Sequence, residues 1–235
     1  VIGDLEGLQA RIGYTFRDPS LLERALTHTS WLQDHPEDQG NNQRLEFLGD
    51  SVLSLILTQA LYGLYPEGTE GELTVRRAIL GKGVFLSRLA REIGLAACLR
   101  LGSGEESTGG RNRDSALEDA FEALLGAVSL DGGFDCARTA ALGIYGNIPT
   151  RLEELETDAN PKGRLQEIVQ GIHGNSALRY EVTATEGADH ERTFEVAVHL
   201  LERRIGSGKG PSKKIAEEEA ARAALAVVRQ DPPRR

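Results

Sequence analysis

The chain has 235 residues, 40% of them hydrophobic and 27% charged, with a formal net charge of −9. That apolar content is enough to bury a core and excludes a wholly disordered chain. Its 27 scattered glycines, without a heptad or short repeat, exclude collagen-like and coiled-coil classes.

In chain order, the opening VIGDLEGLQA lacks the basic start and apolar run of a secretory signal, so a cytoplasmic location is expected. Apolar side chains then recur at helical spacing at Leu21, Leu22, Ala25 and Leu26, and again along 52–64, 84–95 and 116–130. Strand-like alternation is scarce, so residues 1–150 read as helix after helix. The most apolar run, 52–65, is broken by Ser54, Thr58, Gln59 and Gly63 and falls short of the ~18–20 residues that cross a bilayer. No membrane span is expected. Cys98 and Cys136 sit in apolar helical contexts and read as reduced core thiols. The absence of methionine has no physical explanation in the sequence.

The segment RLEELETDANP is polar and acidic and ends in a proline that disfavours continued helix. A boundary is therefore placed there, with 1–150 as the front body, 151–159 as an acidic linker mobile by composition, and 160–235 as a tail module. The tail changes character: a short helix over 161–171, the alternating runs ALRYEVTAT and RTFEVAVHL, a third strand near 203–206, and an Ala-rich helix over 212–228. That order is α-β-β-β-α. Charge divides in the same way. The front body holds 13 Lys/Arg against 21 Asp/Glu, a net of −8, whereas the tail holds 13 against 11, a net of +2.

Two pairs of carboxylates stand out. Glu46 and Asp50 are four apart, and Asp119 and Glu122 three apart, so each pair projects from one face of its own helix. A solvated face is the ordinary explanation for such spacing. Here Leu45, Phe47, Leu48, Val52 and Leu53 flank the first pair, and Ala120, Phe121, Ala123 and Leu124 the second, so both helices should be buried on most sides. Four carboxylates held together in such a place repel one another unless a cation neutralises them. Oxygen-only ligands select a hard ion, Mg²⁺ or Mn²⁺, and point to phosphodiester hydrolysis.

In the tail, GSGKGPSKK is read as a glycine-rich turn that opens the last helix, with Ser212 as N-cap. Free backbone N–H groups at that helix start, beside Lys209, Lys213 and Lys214, suit phosphates. A solvated charge run is the alternative. Ala216, Ala220, Ala221, Ala224 and Val228 form a small-residue face for packing on the strands.

These residues carry a resemblance. NNQRLEFLGDSVL at 41–53 and LEDAFEALLGAVSLDGG at 117–133 closely resemble the two signature stretches of bacterial ribonuclease III. IGYTFRDPSLLERALTHTSW, PEGTEGELTVRRA and GSGKGPSKKIAEEEAA agree with it in order, and the tail resembles a double-stranded RNA-binding domain. The resemblance implies an all-α N-terminal endonuclease domain followed by a small α+β RNA-binding domain. It implies Mg²⁺-dependent cleavage of double-stranded RNA, with Mn²⁺ as substitute, to 5′-phosphate and 3′-hydroxyl ends, in the processing of ribosomal, messenger and other structured RNA precursors.

Residue by residue, the resemblance makes Glu46, Asp50, Asp119 and Glu122 the metal-site carboxylates, with Asp50 and Glu122 nearest the chemistry. Glu70 matches an accessory acid, against the alternative of a solvated loop charge. Gln43 departs from the family, whose members mostly carry Glu there; the amide keeps the hydrogen-bonding shape and loses a charge. Paired cuts imply a homodimer, in which Phe47 resembles the aromatic that plugs into the partner subunit; ordinary core burial is the alternative. Gln166, Glu167 and His190 match groove contacts that read A-form shape and 2′-hydroxyls. Two other classes stay open: a catalytically inactive scaffold that binds double-stranded RNA, and a metal-dependent hydrolase of small phosphates. Crowded acids favour the enzyme over the scaffold, and the tail module is idle in the small-molecule hydrolase.

Overall fold

The computed structural model describes residues 3–38, 40–174, 176–186 and 192–230. Its first part holds α1 (Leu5–Ile12), α2 (Pro19–Ala25), α3 (Trp31–Asp34), α4 (Gln43–Leu64), α5 (Glu70–Leu80), α6 (Gly83–Glu92), α7 (Ser103–Ser107), α8 (Asp114–Gly132) and α9 (Phe134–Tyr145). Then come α10 (Ile148–Ala159), α11 (Pro161–His173), β1 (Leu178–Glu186), β2 (Thr193–Leu200), β3 (Arg203–Gly210) and α12 (Lys213–Gln230). The chain divides into two units, Val1–Leu152 and Glu153–Arg235.

Local chemistry sets the helix ends. The Asp4 carboxylate accepts from Gly7 N–H at 2.7 Å to open α1, and Gly13, at φ 69°, closes it. Asp18 caps α2, whose first residue is proline. Thr69 and Glu72 form a reciprocal capping box at the start of α5.

The centre of the first unit is α8. Leu117, Ala120, Phe121, Ala123, Leu124, Leu125, Ala127 and Val128 have no solvent exposure, so the helix is apolar nearly all round and must be enclosed. It is enclosed by α2, α4, α6 and α9. Its closest neighbour is α4, and the two backbones touch. A Cβ on Gly49 would stand 1.8 Å from the Glu122 carbonyl oxygen, and one on Gly126 would stand 2.3 Å from that of Leu45. Only glycine fits at either position.

The helix α4 is longer than the apolar run at its centre. Over 22 residues it is long and apolar enough, by length and composition, to cross a membrane. Leu45, Leu53, Ile56, Leu57 and Leu61 are buried within the unit, which accounts for much of that apolarity without a bilayer. Cys98 is buried and Cys136 half-buried, both as free thiols.

The acidic segment expected as a linker is helical. The division between units falls inside α10, where Leu152 and Thr157 are buried. The break expected at the proline does occur, because Asn160 caps α11 by accepting from Gly163 N–H at 2.9 Å and Pro161 occupies its first turn.

In the second unit, three antiparallel strands in the order β1-β2-β3 carry α11 and α12. Leu165 and Val169 of α11, Val196 and Val198 of β2, Ile205 of β3, and Ala216, Ala220, Ala221, Ala224, Leu225 and Val228 of α12 form its core. One expectation is corrected. The third strand extends to Gly210, so GSGKG is strand rather than a turn opening the last helix. Its glycines serve packing instead: a Cβ on Gly206 or Gly208 would stand 2.4 Å from the Ala220 backbone of α12. Ser212 does cap that helix, accepting from Ile215 N–H at 3.3 Å.

The contact at Gly49 generates a test. Gly49→Ala gains intrinsic helix propensity of ~1 kcal/mol yet should lower stability by about 3 kcal/mol, because a methyl cannot enter a backbone contact without parting the helices. Gly63, also in α4, has open space around it, so Gly63→Ala should stabilise by up to ~1 kcal/mol. Denaturant melts of both variants decide, and equal behaviour would contradict the contact.

Candidate active site

The glycine contact determines where the acids go. Glu46 and Asp50 lie within one turn of Gly49, and Glu122 lies one turn before Gly126, with Asp119 the next turn back. Backbone proximity thus brings two acid-bearing helix faces against each other. Glu46, Asp119 and Glu122 are partly buried and Asp50 is exposed.

Their electrostatics follow from that placement. Burial raises the Glu122 carboxyl, Asp50, Glu118, Glu46 and Asp119 add repulsion, and together they push it from 4.5 to about 8. Burial, then Asp119, Glu118 and Asp50, raise Glu46. Asp119 is raised by burial and eased downward by His28. The carboxylates therefore share one field. They do not yet share one coordination shell: among the described residues, no three His, Cys, Asp or Glu side chains stand arranged to hold a metal. The donor chemistry nonetheless fits a hard dication, being all oxygen and strongly anionic.

Glu118 went unselected in the sequence. It is raised by burial, Asp119 and Asp114, and its carboxylate fills the space where a Cβ of Gly83 would sit at the start of α6. Its adjacency to Asp119 was the available signal. Tyr145 is buried, donates to the Leu80 carbonyl at 3.0 Å, and has its pKa raised by burial and then by Glu122.

Glu70 lies elsewhere. It occupies the first turn of α5, accepts from Thr74 Oγ1 at 3.2 Å, and lines a cavity of about 440 Å³ with Thr58, Tyr62, Thr74 and Arg77. It is not among the groups that raise Glu46 or Glu122. Gln43 is engaged locally, its Oε1 accepting from Asn41 Nδ2 at 3.2 Å while Asn41 Oδ1 caps its N–H at 3.1 Å. Phe47 is 80% exposed, which removes the core alternative. It borders a groove of about 820 Å³ with Leu48, Arg24 and the exposed Leu130.

In the second unit, Lys213 and Lys214 are exposed on the first turn of α12, and Lys209 lies near the end of β3, paired with Glu195 at 3.3 Å. Lys214 stands 4.0 Å from Glu218. On α11, Gln166 is half-buried, and the exposed Glu167 accepts from Arg164 at 3.1 Å. His190 lies outside the described residues.

Comparison with known proteins covers both units. Residues 18–145 match the family model "Ribonuclease-III-like", and 161–228 match "Double-stranded RNA binding motif". A protein named Ribonuclease 3 from Caldanaerobacter subterraneus subsp. tengcongensis is 42% identical over 221 residues, covering 94% of this chain and 96% of the relative. Its namesake from Hahella chejuensis is 42% identical over 228 residues, covering 97% and 98%. A crystal structure of the ribonuclease III nuclease domain from Campylobacter jejuni aligns with a TM-score of 0.58 at 37% identity, covering 63% of this chain and 98% of that one. Identity at this level, sustained through the helical unit and the α-β-β-β-α unit alike, makes the chain a member of the ribonuclease III family and an endoribonuclease.

Proposed function

We propose that this chain hydrolyses double-stranded RNA in a Mg²⁺-dependent reaction, leaves 5′-phosphate and 3′-hydroxyl ends, and processes ribosomal, messenger and other structured RNA precursors in the cytoplasm. The observation that carries the reading is the accumulation of negative charge between α4 and α8, where Glu122 is lifted to about 8. A binding scaffold gains nothing from that cost, whereas a dication turns it into affinity. Glu46, Asp50, Asp119 and Glu122 would hold the ion, with Mn²⁺ as substitute, through rotation of side chains whose backbones the glycine contact already fixes. When bound, Mg²⁺ supplies charge neutralisation at the attacked phosphate and acidifies the attacking water.

Asp50 and Glu122 act nearest the scissile phosphate, and Glu46 and Asp119 set the position of the ion. Glu70 assists from the groove between α4 and α5. The first unit carries the nuclease and the second reads the duplex. Lys209, Lys213 and Lys214 neutralise phosphates, while Gln166, Glu167 and His190 contact grooves and ribose hydroxyls, favouring RNA over DNA. Two subunits around a two-fold axis cut the two strands. A second Campylobacter structure is described as showing flexibility in a "region involved in dimer formation". The exposed Phe47 and the groove beside Leu130 suit such a contact, ring of one subunit against groove of the other.

Glu122→Gln keeps the shape and weakens ligation. Cleavage of a long RNA duplex should fall at least ~100-fold while duplex binding in Ca²⁺ persists; unchanged cleavage rejects the assignment.

The same group links stability to pH. Its folded pKa is raised, so its contribution is complete below the unfolded value of 4.5 and is lost as pH climbs to about 8. Glu46, Glu118 and Asp119 shift in the same direction. In EDTA, the melting temperature of Glu122→Gln should therefore gain at least ~3 °C on that of the parent between about pH 5 and about pH 8. Saturating Mn²⁺ should narrow the gap by stabilising the parent. Scanning calorimetry measures both, and parallel pH profiles in EDTA would refute the charge accumulation.

Phe47→Asp should shift sedimentation from dimer toward monomer at micromolar concentration and turn paired cuts into single-strand nicks. A dimer of unchanged affinity would remove Phe47 from the interface.

A further inference from the structure

The groove between α4 and α5 holds more chemistry than one accessory acid uses. The two helices are joined by 65–69 alone, and Leu61 and Leu73 give an apolar lining to the cavity of about 440 Å³ between them. Three polar features of that cavity are uncommitted. Tyr62 is 76% exposed, and among the described residues no aromatic or cationic side chain stacks on its ring. Arg77 is half-buried in a front body that holds 21 Asp/Glu, yet among the described residues it has no ion pair. Glu70 lines the same cavity and has none either.

The guanidinium is aimed rather than loose. Its Nη1 donates to Thr58 Oγ1 at 3.1 Å, and that hydroxyl is itself turned by donating to the Ser54 carbonyl at 2.7 Å. The adjacent Arg76 is occupied by the Tyr65 ring, 3.9 Å from its centroid. The spare N–H groups in the cavity therefore belong to Arg77. Glu70, Thr74 and Arg77 share one face of α5, and seven residues at ~1.5 Å each set Glu70 and Arg77 about 10 Å apart along it. Tyr62 stands on α4 one turn nearer the connecting loop than Thr58, the partner of Arg77. The ring thus lies between the two charges along the groove.

An unpaired cation, an aromatic face and an unpaired carboxylate follow one another in a cavity within the ~300–1,000 Å³ of small-ligand clefts. Together they complement a molecule with an anionic group, a flat ring and N–H donors at its far edge. We infer that this groove binds a single unpaired guanine nucleotide, with its phosphate on Arg77, its base stacked on Tyr62 and the edge of the base donating to Glu70. Guanine is singled out because a carboxylate accepts two adjacent N–H donors, and of the four bases only guanine presents such a pair, N1–H and the 2-amino group. The source of the nucleotide rests on the duplex reading under Proposed function: there it belongs to a bulge or overhang, since a paired base has no free face or edge to offer. A free guanosine 5′-monophosphate carries the same chemistry.

Calorimetric titration of the full chain in EDTA tests the site apart from metal and cleavage. The parent should bind guanosine 5′-monophosphate at least ~5-fold more tightly than adenosine 5′-monophosphate, and Glu70→Gln should erase that preference. Tyr62→Leu should weaken the guanine nucleotide at least ~5-fold, and Tyr62→Phe should keep parental affinity. Arg77→Gln should weaken it by as much yet leave guanosine, which has no phosphate, at parental affinity. Melting temperatures within ~2 °C of the parent establish that the variants fold; should Arg77→Gln fail to fold, the exposed Tyr62 decides. Equal affinity for the two nucleotides, binding of neither, or parental affinity in Tyr62→Leu overturns the inference. Two duplexes identical but for one bulged guanosine, compared in Ca²⁺, separate the sources. A preference of at least ~5-fold for the bulged duplex that Tyr62→Leu removes places the nucleotide in RNA, whereas guanine nucleotide binding without that preference makes it a free nucleotide. A chain that binds the nucleotide as described but leaves duplex RNA uncut in Mg²⁺ would retain the site and sink the duplex reading.

Discussion

Two helix backbones touching at Gly49 and Gly126 organise the first unit, and the contact runs against electrostatics. Bringing α4 onto α8 places Glu46, Asp50, Glu118, Asp119 and Glu122 in one partly buried region, where each added charge raises the cost of the next. Hydrophobic burial along α8 supplies the opposing force, because its fully enclosed apolar residues cannot leave α4 without exposing a large surface. The fold thus holds the acids together before any cation arrives. On the proposed metal reading this is preorganisation: the backbone reorganisation is settled during folding, and only side-chain rotation would remain for ion binding.

The sequence carried the positions of the acids but not the reason they meet. Their spacing of three and four residues, flanked by apolar side chains, is visible as a one-dimensional pattern. The meeting of the two helices depends on Gly49 and Gly126, and a glycine within a helical pattern reads only as a weak spot until its neighbour is known. Glu118 was invisible for a related reason, since its part in the field depends on burial and on the space left by Gly83, 35 places earlier at the start of α6.

The second unit was legible in its element order and misread in one detail. Alternation announced three strands and alanines announced the last helix. Gly208 and Gly210, beyond the strand expected near 203–206, read as a turn because glycine most often marks one. Their spacing of two was the overlooked signal. Residues that alternate along a strand share a face, and a face without side chains lets α12 lie directly on the backbone of β3. The alanine face of α12 is the matching half of the same device.

Charge asymmetry then assigns a burden to each unit. The front body, residues 1–150 with a net charge of −8, repels a polyanion, so with the proposed metal dependence attraction to RNA comes from the bound cation and from the second unit. On the proposed reading, the lysines of that unit are not equivalent. Lys209 and Lys214 already face Glu195 and Glu218, and an incoming phosphate must displace those carboxylates, offsetting part of the Coulombic gain. Lys213 is exposed with no ion pair among the described residues, and it stands on the first turn of α12, where the helix dipole favours an anion. A phosphate there replaces water rather than a carboxylate, so the largest net contribution per contact falls to Lys213.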